Sequence, residues 1–180
     1  MDITIDKRLN IKNIEKNISI YLNSINEMDI SISANNIIEL LKSIKRDDIG
    51  KGPYKNVAFF EAANRIMTDL VILYGVKDLL NGKYKDINFS EYSVEYGNDH
   101  NNDFDITVEN NGIELIGEAF NVSKSFFQGK KSKAIEKLRN YKCKNEKLIK
   151  ILMYNNDAVD IGYKPKPRKN EYHIIVEIPH

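Results

Sequence analysis

The stretch from Phe104 to Asn121, FDITVENNGIELIGEAFN, constrains the fold of this chain more than any other. Asn111-Gly112 at its centre is the dipeptide that best tolerates the positive φ angles of a two-residue turn, and alternating apolar residues flank it, so the stretch reads as a β-hairpin. With those two residues in the loop, Asn110 faces Ile113. Val108 then meets Leu115, Ile106 meets Gly117 and Phe104 meets Ala119, all on one apolar face. On the opposite face Asp105 lands across from Glu118. Directly paired residues on an antiparallel ladder have Cβ atoms about 4.5–5.5 Å apart, and like charges there are destabilising. A divalent metal ion between the two carboxylates would remove that cost. The plainer alternative is a solvent-facing hairpin whose acids are merely exposed and screened by salt.

The charge pattern around the hairpin points the same way. From Asp86 to Ser123 there is no Lys or Arg, while Glu91, Glu95, Asp99, Asp103, Asp105, Glu109, Glu114 and Glu118 supply acid. Between Lys124 and Lys150 the sign reverses, with only Glu136 and Glu146 against a run of lysines and Arg139. The formal net charge of +1 therefore conceals a dipolar arrangement along the chain. An acidic cluster beside a basic helix suits a site that binds metal ions and a polyanion together. For most of these residues, taken singly, a solvated face is the simpler account.

At 180 residues the chain has the size of one domain that buries a core without disulfides. The lone Cys143 excludes an internal disulfide and gives no zinc-site spacing, so a reducing cytoplasm is the expected compartment. The N-terminal MDITIDKRLN lacks the apolar core of a signal peptide, and no apolar run approaches the roughly 20 residues of a membrane span.

Helical periodicity covers about residues 9–27, through Ile11, Ile14, Ile18 and Ile25. Ser33 reads as the N-cap of a second helix ending near Asp47, and Gly50-Lys51-Gly52-Pro53 breaks the chain. A long helix from about Asn56 to Leu80 follows, stopped by Asn81-Gly82. Strands are expected at about 91–97, 103–109 and 113–121, then a loop holding Phe126, Phe127 and Gly129, and a basic helix at about 130–142. Strands at about 147–154 and 171–178 complete the chain, separated by a polar loop with Pro165 and Pro167. The expected fold is α/β: an αβββαβ core with a mixed central sheet flanked by helices, preceded by a helical extension. It forms a single domain over 1–180, with N-terminal helices in 1–48, the core in 56–154, and a basic loop and last strand in 155–180. The crossover helix should set the fourth core strand parallel to a neighbour.

That topology, with Phe104-Asp105-Ile106 on the second core strand and Glu118-Ala119-Phe120 on the third, resembles the PD-(D/E)xK nuclease superfamily, which includes many type II restriction endonucleases. The similarity covers about residues 56–154. The resemblance implies that Asp105 and Glu118 bind Mg²⁺, with Mn²⁺ as a possible substitute, and that Glu61 on the long helix supplies a third carboxylate. Alternatively, Glu61 only pairs with Arg65 one turn on. It further implies a Mg²⁺-dependent DNA endonuclease of the restriction type, working as a homodimer when it cuts both strands. The N-terminal helices are the expected dimer surface.

One residue departs from the family pattern. Phe120 occupies the position of the usual motif lysine, and a phenyl ring can neither orient a water molecule nor stabilise charge. Lys124 is the expected catalytic replacement, swinging back from the loop, with Lys130 or Lys131 as alternatives; otherwise the fold has lost its chemistry. Lys124, Lys130, Lys131, Lys133 and Lys137 are candidate phosphate contacts, and Gln128 is a candidate base-edge contact. Lys164, Lys166, Arg168 and Lys169 form a second basic loop. Asp103 is a subsidiary metal-ligand candidate. Asp99-His100 reads as a polar loop, and His173 and His180 have no partner pattern. Two other functions fit the same residues: a nuclease-fold protein that binds nucleic acid or a protein without cutting, and an α/β immunity-type module whose acidic face docks a basic partner.

Overall fold

The computed structural model describes residues 5–97, 103–143 and 145–179. Asp99, His100, Lys144 and His180 lie outside these residues. The chain forms an α/β fold around one six-stranded mixed sheet in sequence order, β1 (Arg8–Asn10), β2 (Glu91–Val94), β3 (Ile106–Asn110), β4 (Ile113–Phe120), β5 (Lys147–Asn155) and β6 (Glu171–Val176). The first four strands are antiparallel neighbours, and β4, β5 and β6 run parallel. The helices are α1 (Ile14–Asn26), α2 (Ile37–Arg46), α3 (Phe59–Leu80) and α4 (Lys124–Asn140). No helix among the described residues is long and apolar enough to cross a membrane.

The hairpin adopts the register read from the sequence, with Ile106 opposite Gly117 and Val108 opposite Leu115. Its loop residues Asn111 and Gly112 have φ of 48° and 75°, both in the left-handed region that this turn requires. Successive residues of β4 then serve opposite faces of the sheet. Leu115 and Ala119 pack with Leu70, Leu73 and Val76 of α3 and with Ile14, Ile18 and Tyr21 of α1. Ile116 and Phe120 pack on the other face with Phe127, Ala134 and Leu138 of α4. Gly117 leaves room for the neighbouring strand, since a Cβ there would sit 2.4 Å from Ile151 Cγ1.

Four local readings are corrected. Residues Arg8–Asn10 form a strand paired with β2, not the first turn of a helix. Three residues are too few to show alternation, although Leu9 is fully buried. The second helix is capped by Asn36, whose side chain accepts from Glu39 N–H at 3.0 Å, rather than by Ser33. The basic helix starts at Lys124, six residues early: Phe127 is buried, worth about 1.5–3 kcal/mol, and outweighs the roughly 1 kcal/mol cost of Gly129 inside a helix. Phe104 does not share a face with Ile106. The ladder begins at Ile106, and Phe104 packs in the α4-side cluster with its ring centre 5.2 Å from that of Tyr141.

Candidate active site

Antiparallel pairing of β3 with β4 carries Asp105 to the end of β4, beside Glu118. One Asp105 carboxylate oxygen, Oδ2, accepts from the Ala119 N–H at 2.7 Å, so the first acid is tied to the backbone of the strand that holds the second. Glu118 projects on the α4 side, where its Oε1 accepts from Lys137 Nζ at 2.6 Å. The two acids floor a cleft of about 500 Å³. Asn64, Arg65 and Thr68 of α3 form one wall, and Lys130 and Lys137 of α4 form the other.

Electrostatics mark this pair as strained in its ionised form. Burial pushes the Glu118 carboxyl up to about 7; repulsion from Asp105 adds to the shift, and Lys137 opposes it. Burial likewise raises Asp105, against its hydrogen bond from Ala119 and the positive charges of Lys137 and Lys130. Glu95, at the end of β2, also lines the cleft and adds to the repulsion on Asp105. Its carboxylate lies 2.7 Å from Lys7 Nζ. Among the described residues no set of three or more His, Cys, Asp and Glu side chains is arranged to hold a metal ion. A Mg²⁺ ion does not need one: it is commonly held by one or two carboxylates, keeps several waters and takes further oxygens from a phosphate. Two hard, half-desolvated carboxylates that repel one another fit that requirement.

The remaining sequence-selected residues divide. Lys130 and Lys137 reach the cleft, and exposed Asp103 stands at its rim. Lys124 does not line it; its ammonium pairs with Asp160 at 2.9 Å, both groups exposed. Lys131 donates to the Tyr163 hydroxyl at 2.9 Å, while Gln128 and Lys133 are exposed elsewhere on α4. Glu61 is exposed, paired with Arg65, and does not line the cleft. His173 packs edge-on against Tyr154 and does not line the cleft. Lys164, Lys166, Arg168 and Lys169 are exposed on the loop before β6.

Phe120 has a clear role in this arrangement. It is buried, stacked on Tyr154 with centroids 5.8 Å apart and tilted against Phe127 at 6.3 Å. The aromatic cluster joining β4, β5 and α4 occupies its place, and α4 delivers a cation to Glu118 from above the strand. Sequence reasoning grouped Lys137 with the phosphate contacts and missed its pairing with Glu118. The signal was present: Lys130, Ala134, Lys137 and Leu138 fall at helical spacing, so the face that buries Ala134 and Leu138 also carries Lys130 and Lys137 toward the sheet. Arg65 was missed as a cleft residue because its pairing with Glu61 reads as an ordinary surface contact. Comparison of the chain with protein-family models, curated proteins and solved structures gives no match.

Proposed function

We propose that the protein is a Mg²⁺-dependent nuclease that hydrolyses phosphodiester bonds in DNA, in the manner of the PD-(D/E)xK enzymes it resembles in topology. The observation that carries this reading is the Asp105–Glu118 pair at the mouth of a strand hairpin, with Lys137 on Glu118 at 2.6 Å. When bound, the ion polarises a phosphoryl oxygen and lowers the pKa of a coordinated water. Asp105 and Glu118 would hold it, with Mn²⁺ as a substitute. The Ala119 N–H fixes one Asp105 oxygen, Oδ2, and leaves the other for the ion. Lys137 favours the ionised Glu118 that a cation requires. Its ammonium also stands where it can orient the attacking water and offset charge gathering on the phosphoryl oxygens. Hydrolysis would then add the water oxygen to phosphorus as the bond to one deoxyribose oxygen breaks, the water giving up a proton and the leaving oxygen taking one, which yields a phosphomonoester end and a hydroxyl end. Lys130 adds positive charge at the entrance, countering the acidic floor.

Cutting both strands requires two such sites, which a second copy of the chain would supply. Exposed Ile37, Ile38 and Leu41 on α2 form the face proposed for that pairing.

The test is incubation with supercoiled plasmid and Mg²⁺ or Mn²⁺ beside Asp105→Ala and Glu118→Ala variants. Cutting that both variants lose supports the reading. Metal-independent DNA binding without cutting would replace it with a binding protein on a nuclease fold, and neither activity would leave the immunity-type module.

A further inference from the structure

We infer that Arg65 grips a phosphate of the bound nucleic acid, on the cleft wall opposite α4. This rests on the nuclease reading and adds to it the side from which the substrate backbone is held. Arg65 is the cation that α3 contributes to the cleft lining, facing the Asp105–Glu118 floor. Its guanidinium is partly committed: one Nη2 donor reaches Glu61, and the plane lies over the Tyr54 ring at 5.4 Å. Its Nε is buried and has no hydrogen-bond partner. A buried Nε is closed to solvent, so a phosphate oxygen in the cleft would be met by the outer nitrogens of the guanidinium. The guanidinium fork matches a phosphate by two parallel hydrogen bonds, whereas an ammonium offers one point of charge.

The platform under Arg65 is rigid. The Tyr54 hydroxyl donates to Asp69, a fully buried carboxylate on α3. Asp69 also accepts from the Tyr21 hydroxyl and, at 2.9 Å, from the Gly97 N–H. The ring that carries the guanidinium is thereby fixed to α1, α3 and the end of β2 before any ligand arrives, which lowers the ordering cost of binding. Arg65 on α3 and Lys130 on α4 then place positive charge on both walls of a cleft whose floor is acidic. A strand lying between the walls meets one phosphate at the floor and a neighbouring phosphate at Arg65.

The test is binding of a labelled DNA duplex and the matching single strand to the full chain, measured against salt with Ca²⁺ in place of Mg²⁺. For Arg65→Gln the expected results are a loss of affinity of roughly ten- to a hundredfold and a slope of log K against log salt shallower by about 0.9 for duplex or about 0.7 for single strand. Arg65→Lys should keep the parental slope and bind about tenfold more weakly, for want of the fork. Lys83→Gln, past the C-terminal end of α3 and outside the cleft lining, should move neither quantity. Parental affinity and slope in Arg65→Gln, from a parent that cuts plasmid, would overturn the inference alone. So would weaker binding by Arg65→Gln at an unchanged slope, the mark of a merely structural role. Should Arg65→Gln fail to fold, parental affinity in Arg65→Lys would overturn it. A parent that binds neither DNA would overturn this inference and the nuclease reading together.

Discussion

Lys137 Nζ lies 2.6 Å from Glu118 Oε1, which latches the C-terminal part of α4 to the end of β4. The cation that faces the acid pair therefore belongs to the helix, whereas the strand position next to it is spent on core packing. Lys137 Nζ also lies over the Phe104 ring, 5.2 Å from its centre, so the ammonium rests on an aromatic residue of the α4-side cluster. Packing and charge placement are coupled here: the α4-side core sets where the ammonium stands.

Replacing Lys137 should separate catalysis from folding. Lys137→Gln is expected to lower the rate of plasmid cutting by about 10²–10³, the usual cost of losing one preorganised charge-stabilising donor. Lys124→Gln, which removes an exposed pair with Asp160, should cost far less. Equal losses from both variants, measured as initial rates at matched protein concentration, would contradict the assignment.

The aromatic position should behave as core. Phe120→Ala is expected to destabilise the protein by about 3–5 kcal/mol, read as a shift of the urea midpoint at unchanged slope. Phe120→Lys should unfold the chain, or nearly so, since it buries an ammonium among Phe127 and Tyr154. A stable Phe120→Lys protein would show that this strand position is open to a cation.

Stability should fall as the pH rises from acid to neutral. Glu118 is raised from an ordinary 4.5 to about 7 and Asp69 from 3.8 to about 6, in both cases chiefly by burial. A raised carboxyl binds its proton more tightly when folded, so its stabilising effect is complete below the unfolded pKa and lost as pH rises through the folded one. Stability is expected to decline from about pH 4 to pH 7, on the order of 3 kcal/mol of it from Glu118. Glu118→Gln should flatten the upper part of this profile. Metal affinity should run the other way and weaken as pH drops below about 7, because the ion competes with the proton.

The Asp69 cluster should respond to loss of either hydroxyl. Tyr21→Phe is expected to cost about 1–3 kcal/mol, because it leaves a buried carboxylate short of a donor. Tyr54→Phe should cost less in stability, since the ring beneath Arg65 stays in place and Tyr54 is only partly buried. Chemical denaturation of the two variants against the parent gives both numbers.

Much of this molecule was legible before its structure. The hairpin register followed from Asn111-Gly112 and from a period of two, and these also fixed Asp105 beside Glu118. Element order followed from the change of period after Leu80. Three kinds of information were hidden. Strand β1 is stabilised by its pairing with β2, which is distant in sequence, and three residues carry no period of their own. The start of α4 depended on burial of Phe127, which overrode the local break signalled by Gly129. The contact of Lys137 with Glu118 spans α4 and β4 and depends on how the helix packs, so the nearer Lys124 stood out in the sequence. Asp69 gave no sign at all: an acid inside an apolar helical run reads as a flaw in the stripe until Tyr21, Tyr54 and Gly97 are brought around it.

Calorimetric titration of Mn²⁺ into the protein at pH 8 asks whether Asp105 and Glu118 together hold one divalent ion. A single saturable site is expected in the parent, absent from both Asp105→Ala and Glu118→Ala while each variant stays folded. A parent that takes up no ion, or one whose binding survives both substitutions, would contradict it.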